Sequence, residues 1–307
     1  MRLPNIIVVL LAGAAFFLLP VGTRAQARQS DVAGVRPGTL PESWLLGGPK
    51  CVEVPEFQVH EYNEDLYILR QSGCSHYEKP FLYLLFGKEK ALLLDTGAGK
   101  TEVARVVNKV VEHWLARNKR GSIQLVVAHT HAHDDHTAGD DQFKELALIT
   151  VVPPNLKAVQ AFFGFKNWPE EILGYDLGGR VLDVIPIPGH EQTSIAVYDR
   201  QTGVLFTGDT LYPGRLYVED QVEFARSVQR LVAFTRGKDV PHILGNHIEN
   251  ARTPYLDYPV ETIYQPDEHA LALGRSHLLE LSDALSRMDG KVVRMALRDF
   301  TIWPLER

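Results

Sequence analysis

The sequence predicts a layered α/β architecture, and three observations carry that prediction. Short apolar runs of strand length recur along the chain, one stretch repeats its apolar residues every three or four positions, and a hairpin-like run covers Ser194–Thr207. Strands interleaved with helices in this way must bury one face of each element against another layer.

Taken in order, strands are predicted at Leu66–Leu69, Phe81–Phe86, Ala91–Leu94 and Leu125–Ala128. Between the last two, Val103, Val106, Val107, Val110, Val111, Trp114 and Leu115 fall on one face of a helix, with Thr101 as its expected N-cap. Further strands are expected at Ile149–Val152, Val181–Ile187, Ser194–Tyr198, Val204–Thr207 and His242–Leu244. Helical patterns occupy Gln221–Thr235 and Pro266–Ser286, and a late strand is expected at Lys291–Ala296. The aromatic run Ala161–Trp168 reads either as a helix face packed on the core or as a lid over an apolar group.

The chain has 307 residues, 45% hydrophobic and 23% charged, an ordinary globular balance. Its first residues differ in kind. Arg2 precedes an apolar run from Ile6 to Leu19, then Pro20 and small residues around Ala25 and Ala27. That run is short for a membrane span, which needs roughly twenty residues, and it fits a signal peptide over residues 1–25. A secreted or periplasmic protein is therefore expected, with no stable membrane association once the signal is cut. Removing Arg2 and Arg24 leaves 30 basic against 38 acidic side chains, a balance of −8. A chain of that sign without a long basic run argues against a nucleic-acid partner. Cys51 and Cys74 are expected to pair in an oxidising compartment, two separate buried thiols being the other reading.

Residues 128–141 read A-H-T-H-A-H-D-D-H-T-A-G-D-D, directly after an apolar strand. Imidazoles and carboxylates are the donors that zinc and similar ions select, and a cluster at a strand end can converge on one point. The segment His131-Ala132-His133-Asp134-Asp135-His136 resembles the H-x-H-x-D-H signature of the metallo-β-lactamase superfamily. Pro188-Gly189-His190, Thr207-Gly208-Asp209 and Gly245-Asn246-His247 resemble the later motifs of that family, in order. Upstream, Leu92–Gly97 resembles its first motif, whose aspartate, here Asp95, supports rather than ligates.

The resemblance implies an αββα sandwich of two mixed β-sheets with the metal site along one edge. It divides the chain into an N-terminal extension over 26–55, the family domain over 56–262, and a C-terminal helix and strand over 263–307 completing that domain. It implies that His131, His133 and His190 hold one metal ion, that Asp135, His136 and His247 hold a second, and that Asp209 bridges them. Two Zn2+ per chain are expected, with iron or manganese also suited to such donors. His133 stands where di-iron oxygen reductases of the superfamily usually carry a carboxylate, which favours zinc. Metal ions about 3.5–4 Å apart can share a water and lower its pKa, so the expected activity is hydrolysis of an ester, lactone or thioester of a small-molecule substrate by a bridging hydroxide.

Two residues are assigned to catalysis at this stage, Asp135 and Tyr212. Tyr212 stands three residues after Asp209, where superfamily lactonases place a tyrosine against the substrate; packing is its other reading. Arg215 and Tyr217 are candidates to approach the same pocket. His129 and His242 read as structural, Asp134 as solvated or orienting, and His60, His76, His113, His269 and His277 as surface residues. The competing functions are a secreted metallo-β-lactamase, disfavoured by Asp209, a sulfur dioxygenase-like iron enzyme, and a non-catalytic periplasmic metal-binding module.

Overall fold

In the computed structural model, residues 34–305 are described except 47, 49, 52, 53 and 145, so the expected signal peptide lies outside the described residues. The elements run β1 (Phe57–Asn63), β2 (Leu66–Gln71), β3 (Phe81–Phe86), β4 (Lys90–Leu94), α1 (Val103–Arg117), β5 (Gln124–Ala128), α2 (Asp134–Thr137) and β6 (Ile149–Val151). There follow α3 (Leu156–Phe163), β7 (Leu173–Asp176), β8 (Val181–Pro186), β9 (Ile195–Asp199), β10 (Leu205–Gly208), β11 (Arg215–Val218) and α4 (Gln221–Thr235). The chain ends with β12 (Ile243–Gly245), β13 (Ala272–Leu273), α5 (Arg275–Arg287), β14 (Met295–Ala296) and β15 (Thr301–Pro304).

Two mixed six-stranded sheets result, ordered β1-β2-β3-β4-β5-β6 and β13-β12-β10-β9-β8-β7, with a small third sheet β11-β15-β14 beside them. The two-residue period of the strands sorts their side chains into layers. Leu92 and Leu94 of β4 face the second sheet and pack with Leu182, Val184, Val197 and Phe206. Ala91 and Leu93 face the other way and pack with Val103, Val107, Val110 and Trp114 of α1. Across the second sheet, Ile185, Ala196 and Leu205 pack on Phe224, Val228 and Leu231 of α4 and on Leu278 and Leu281 of α5. Each fully buried leucine or phenylalanine contributes about 1.5–3 kcal/mol. The layers are thus helix, sheet, sheet, helix, as expected.

Strand direction decides where the site forms. β4, β5 and β6 run parallel, and in the second sheet β8, β10 and β12 share one direction while β9 opposes them. The segments leaving β4, β5, β8, β10 and β12 carry Asp95, the histidine cluster, His190, Asp209 and His247 respectively. In open α/β sheets such carboxyl ends are where ligands bind.

Four local expectations need correction. Thr101 does not cap α1: the cap residue is Glu102, with no side-chain cap bond, and its N–H is taken by Glu56 Oε2 at 2.9 Å. The carbonyl of Thr101 is instead held by Gln142 Nε2 at 2.7 Å. The last helix begins at Arg275 rather than Pro266, because the preceding residues are pinned elsewhere. Glu268 is buried against Arg70, and the His269 N–H reaches the Asn250 carbonyl at 2.8 Å. The late strand shrinks to Met295–Ala296 and pairs with the unforeseen β15. His269 and His277 are not scattered surface groups: both Nε2 atoms lie 3.1 Å from the Asp299 carboxylate.

The aromatic run folds as α3 and the turn after it, with Phe162, Phe163, Phe165 and Trp168 on the inter-sheet core, so the packing reading holds. The N-terminal extension lays Trp44 into that same core against Phe81, ring centroids 4.9 Å apart. Cys51 and Cys74 form a disulfide tying the extension to the loop between β2 and β3. Among the described residues, no helix is long and apolar enough to cross a membrane.

Candidate metal centre

All seven anticipated ligands meet at the mouth of the sandwich, in two overlapping groups. The first comprises His131, His133 and His190, and the second Asp135, His136, Asp209 and His247. In the first group His133 Nδ1 lies 3.0 Å from His131 Nε2 and 3.1 Å from His190 Nε2. In the second, Asp135 Oδ2 lies 3.3 Å from both His136 Nε2 and His247 Nε2, which are 3.4 Å apart. One atom joins the groups. Asp209 Oδ2 is 3.3 Å from His247 Nε2, 3.6 Å from His136 Nε2, 3.7 Å from His190 Nε2 and 4.0 Å from His131 Nε2.

These spacings fit divalent cations. Metal–donor bonds of about 2.0–2.1 Å in a tetrahedron separate neighbouring donors by about 3.3–3.4 Å. Ring nitrogens facing one another at 3.0–3.4 Å bring lone pairs together unless a cation or a proton lies between them. Asp209 Oδ1, moreover, is buried without a hydrogen-bond partner. A buried carboxylate oxygen in that condition is costly in a protein interior, and a cation would remove the cost.

In four of the five rings the far nitrogen is within hydrogen-bond distance of an acceptor, which fixes the tautomer that points the other nitrogen inward. His190 Nδ1 donates to the Tyr217 carbonyl at 2.8 Å, and His247 Nδ1 to the Glu78 carbonyl at 2.9 Å. His136 Nδ1 lies 3.1 Å from Asp95 Oδ2. His131 Nδ1 meets Thr130 Oγ1 at 3.1 Å, and that hydroxyl donates to Asp95 Oδ2 at 2.8 Å. His133 Nε2 faces Glu219 Oε1 at 3.6 Å. Asp95 thus supports both groups without joining either, as anticipated. It sits at φ +70°, a conformation L-residues avoid, held by four contacts that include Thr130 N at 2.7 Å and Asn246 Nδ2 at 2.6 Å. Gly189 is required before His190: at φ +134° a Cβ there would lie 2.3 Å from the Phe224 backbone at the start of α4.

Charge follows the same division. Burial, then the neighbouring histidines, hold His131 and His190 below the usual imidazole range, so they stay neutral and ready to ligate. Burial also opposes charge on His136 and His247, but Asp135 and Asp209 outweigh it and hold both above that range. Although burial acts against ionisation, the same pairing keeps Asp135 and Asp209 ionised, well below the ordinary carboxylate range.

Other expectations divide. His129 turns away from the cluster, its Nε2 3.2 Å from Asp140, and His242 Nδ1 is 2.8 Å from the Tyr62 hydroxyl, so both are structural. Asp134 is exposed. Tyr212 is not where a substrate could meet its phenol. The residue is 1% exposed, and its hydroxyl donates to the Arg215 carbonyl beside Glu249 Oε2 at 3.2 Å. Its ring packs edge-on against His247, centroids 5.5 Å apart, which makes it a packing aromatic. Arg215 is likewise engaged, by Glu249 Oε1 at 2.8 Å and by Asp257 Oδ2 and the Tyr258 carbonyl at 2.7 Å each. Tyr217 reaches the small cleft shared with Tyr77, Glu78 and Glu249. Sequence reasoning missed the supporting carbonyls of Glu78 and Tyr217 and the carboxylate of Glu219; backbone acceptors leave no residue-type signal.

Comparison with known proteins agrees with this geometry. The chain is 26% identical over 166 residues to the acyl-coenzyme A thioesterase MBLAC2 of Bos taurus, covering 44% of this chain and 59% of that protein. It is 30% identical over 134 residues to a hydroxyacylglutathione hydrolase of Pseudomonas putida, covering 40% of this chain and 48% of that one. The chain therefore spans about half the length of the curated relatives it matches. Among solved structures, a metallo-β-lactamase from Pontibacter korlensis superposes with a TM-score of 0.51 at 21% identity, covering 75% of this chain and 99% of that chain, a likeness of fold. The model of the metallo-beta-lactamase superfamily matches residues 80–264, most of both sheets and every residue of the two ligand groups. The chain belongs to the metallo-β-lactamase superfamily.

Proposed function

We propose that this chain is an exported hydrolase that holds two Zn2+ ions and cleaves an ester, lactone or thioester bond of a small molecule. The observation that carries the reading is the placement of Asp209 Oδ2 within reach of ring nitrogens from both groups. One shared carboxylate oxygen suits two ions close enough to act together on one water. When bound, such a pair lowers the pKa of water towards neutrality and polarises a carbonyl.

The chain's own residues supply the rest. His131, His133 and His190 would hold one ion, and Asp135, His136 and His247 the other, with Asp209 between them. Asp95, through His136 directly and His131 by way of Thr130, keeps both groups in register. The carbonyls of Glu78 and Tyr217 orient His247 and His190. The imidazole-rich donor set suits zinc. The names of the curated relatives, a thioesterase and a hydroxyacylglutathione hydrolase, favour the acyl-transfer branch over a β-lactamase. The apolar N-terminal run and the Cys51–Cys74 disulfide support an oxidising compartment outside the cytosol.

The test is metal analysis of the purified chain, followed by a panel of chromogenic esters, a lactone, a thioester and nitrocefin. Two zinc ions per chain with turnover of an acyl substrate is the expected result. Nitrocefin cleavage much faster than ester cleavage would make the protein a β-lactamase. Bound zinc with no turnover would leave a binding module.

A further inference from the structure

One backbone acceptor of the centre belongs to a segment that is closed covalently. Glu78, whose carbonyl takes the Nδ1 proton of His247 at 2.9 Å, lies in the loop between β2 and β3. In the same loop, Cys74 is bonded to Cys51 of the N-terminal extension. The extension is anchored in turn. Trp44 is buried in the inter-sheet core, its ring centroid 4.9 Å from that of Phe81, the residue with which β3 begins. The chain from Cys74 to Phe81, the Trp44–Phe81 contact, the chain from Trp44 to Cys51 and the disulfide thus close a ring, and Glu78 rides on it.

The other ties of this loop gather near its ends. Ser72 N–H donates to the Glu56 carbonyl at 2.7 Å, Gln71 N–H to the Pro80 carbonyl at 3.0 Å and Phe81 N–H to the Asn246 carbonyl at 2.8 Å. Gln71 Nε2 reaches Ser75 Oγ at 3.2 Å, and Lys79 Nζ reaches the Thr262 carbonyl at 2.9 Å. Within the loop, Ser75 N–H bonds the Ser72 carbonyl at 3.0 Å and Lys79 N–H the His76 carbonyl at 3.3 Å, which holds it to itself alone. Opening the covalent closure therefore frees the stretch that carries Glu78. An imidazole whose outer N–H loses a fixed acceptor no longer has its tautomer and ring plane set. The first ligand group is insulated from this, since His131 and His190 take their support from Thr130 and the Tyr217 carbonyl, neither of them in the loop.

We propose that Cys51 and Cys74 are positioning residues of the metal centre. Their disulfide holds the Glu78 carbonyl against His247, and its reduction loosens the Asp135, His136 and His247 group while the His131, His133 and His190 group keeps its grip. The inference rests on the two-ion reading above. Both cysteines are half-buried, open to a small dithiol. Its thiolate attacks one sulfur, the S–S bond breaks to give a mixed disulfide, and its second thiol expels the remaining cysteine. Two electrons and two protons pass from the dithiol, which becomes a cyclic disulfide, to Cys51 and Cys74.

The experiment compares three forms of the full chain: oxidised, reduced with dithiothreitol that is then removed anaerobically, and Cys51→Ser with Cys74→Ser. Stepwise zinc affinity is read by competition with chromophoric chelators, and amide hydrogen exchange by mass spectrometry on the metal-free protein. The expected result is a loss of at least about tenfold for one ion and less than about threefold for the other, in both the reduced chain and the serine variant. Exchange should quicken at residues 74–79 and stay unchanged in β5 and β8, and reoxidation should restore the wild type alone. A loss shared equally by both ions would make the disulfide a general support of the fold and overturn the proposal. Equal affinities in all three forms, or a loss in the reduced chain that the serine variant does not share, would overturn it too. An oxidised chain that never takes up a second ion would end the two-ion reading itself, and this proposal with it.

Discussion

Asp95→Asn is the sharpest single test of how the centre is built. The substitution keeps the shape of a fully buried side chain that makes no bond to any cation in the proposed arrangement. Asp95 Oδ1 accepts from Thr130 N at 2.7 Å, while Oδ2 accepts from Asn246 Nδ2 at 2.6 Å, Thr130 Oγ1 at 2.8 Å and His136 Nδ1 at 3.1 Å. An amide can present its oxygen to only one of these sides. With the oxygen on Thr130 N, the new NH2 faces the donors of Asn246 and His136. Flipping Asn246 would relieve one clash but take its N–H from the Phe81 carbonyl, now 2.6 Å away. Two buried donors therefore lose an ionised acceptor, at about 1–3 kcal/mol each. The metal-free protein should melt about 5–15 °C lower, at about 2–4 °C per kcal/mol for a domain of this size.

His136 suffers in a second way. Facing an N–H, its Nδ1 must become the acceptor, which moves the proton to the nitrogen that should ligate. Metal affinity should fall about 10–100-fold, read by competition with a chromophoric chelator and by thermal melts with and without zinc. A melting temperature within 2 °C of wild type together with affinity within about twofold would refute the assignment of Asp95 as the strut of the centre.

Four other outcomes are expected. Asp209→Ala should lose the carboxylate shared between the two groups, and with it metal affinity and at least about a hundredfold in turnover, while keeping its circular dichroism, because its carboxylate bonds no core element; wild-type activity would end the two-metal reading. Tyr212→Phe should leave kcat and KM within about threefold and cost about 1 kcal/mol of stability, since the hydroxyl already serves the Arg215 carbonyl; a large fall in kcat at unchanged melting temperature would return the phenol to the substrate. Burial, reinforced by Arg70, pushes Lys79 down to about 8, whereas the unfolded chain keeps that proton to about 10.4. The unfolded state thus binds more protons between those values, so wild type should gain stability relative to Lys79→Met as pH rises from about 8 to 10, by at most about 1.4 kcal/mol per unit; a flat difference in denaturant titrations refutes it. Removing the Cys51–Cys74 link, by Cys51→Ser with Cys74→Ser, should cost about 3 kcal/mol for its 23-residue separation, measured as a shift in the urea midpoint.

The seven ligand positions were legible because their chemistry is local: short motifs of His, Asp and Gly sit at strand ends, and each motif survives without knowledge of the fold. Long apolar strands such as β3 and β5 were legible for the same reason. Strands β7, β11, β13 and β15 were not, since they are four residues or fewer and take their place from pairing partners distant in sequence. Tyr212 shows the limit of an offset argument. Its distance from Asp209 in sequence says nothing of the Arg215 carbonyl and the Glu249 carboxylate that claim its hydroxyl in the folded chain. Helix α5 was drawn too long because composition cannot reveal that Glu268 is spoken for by Arg70, almost two hundred residues earlier.

The cluster's donors come from both halves of the sandwich: His131, His133, Asp135 and His136 leave β5, while His190, Asp209 and His247 leave β8, β10 and β12. Any cation seated there is therefore a rivet through two plates. Sliding one plate by a fraction of a bond length would spoil the tetrahedra, so a methylene trimmed from Leu94 or Phe206, deep between the plates, should be felt as a weaker grip on zinc. Occupancy in turn stiffens the seam by mass action, and the resistance of the whole protein to unfolding rises with the logarithm of the free metal concentration.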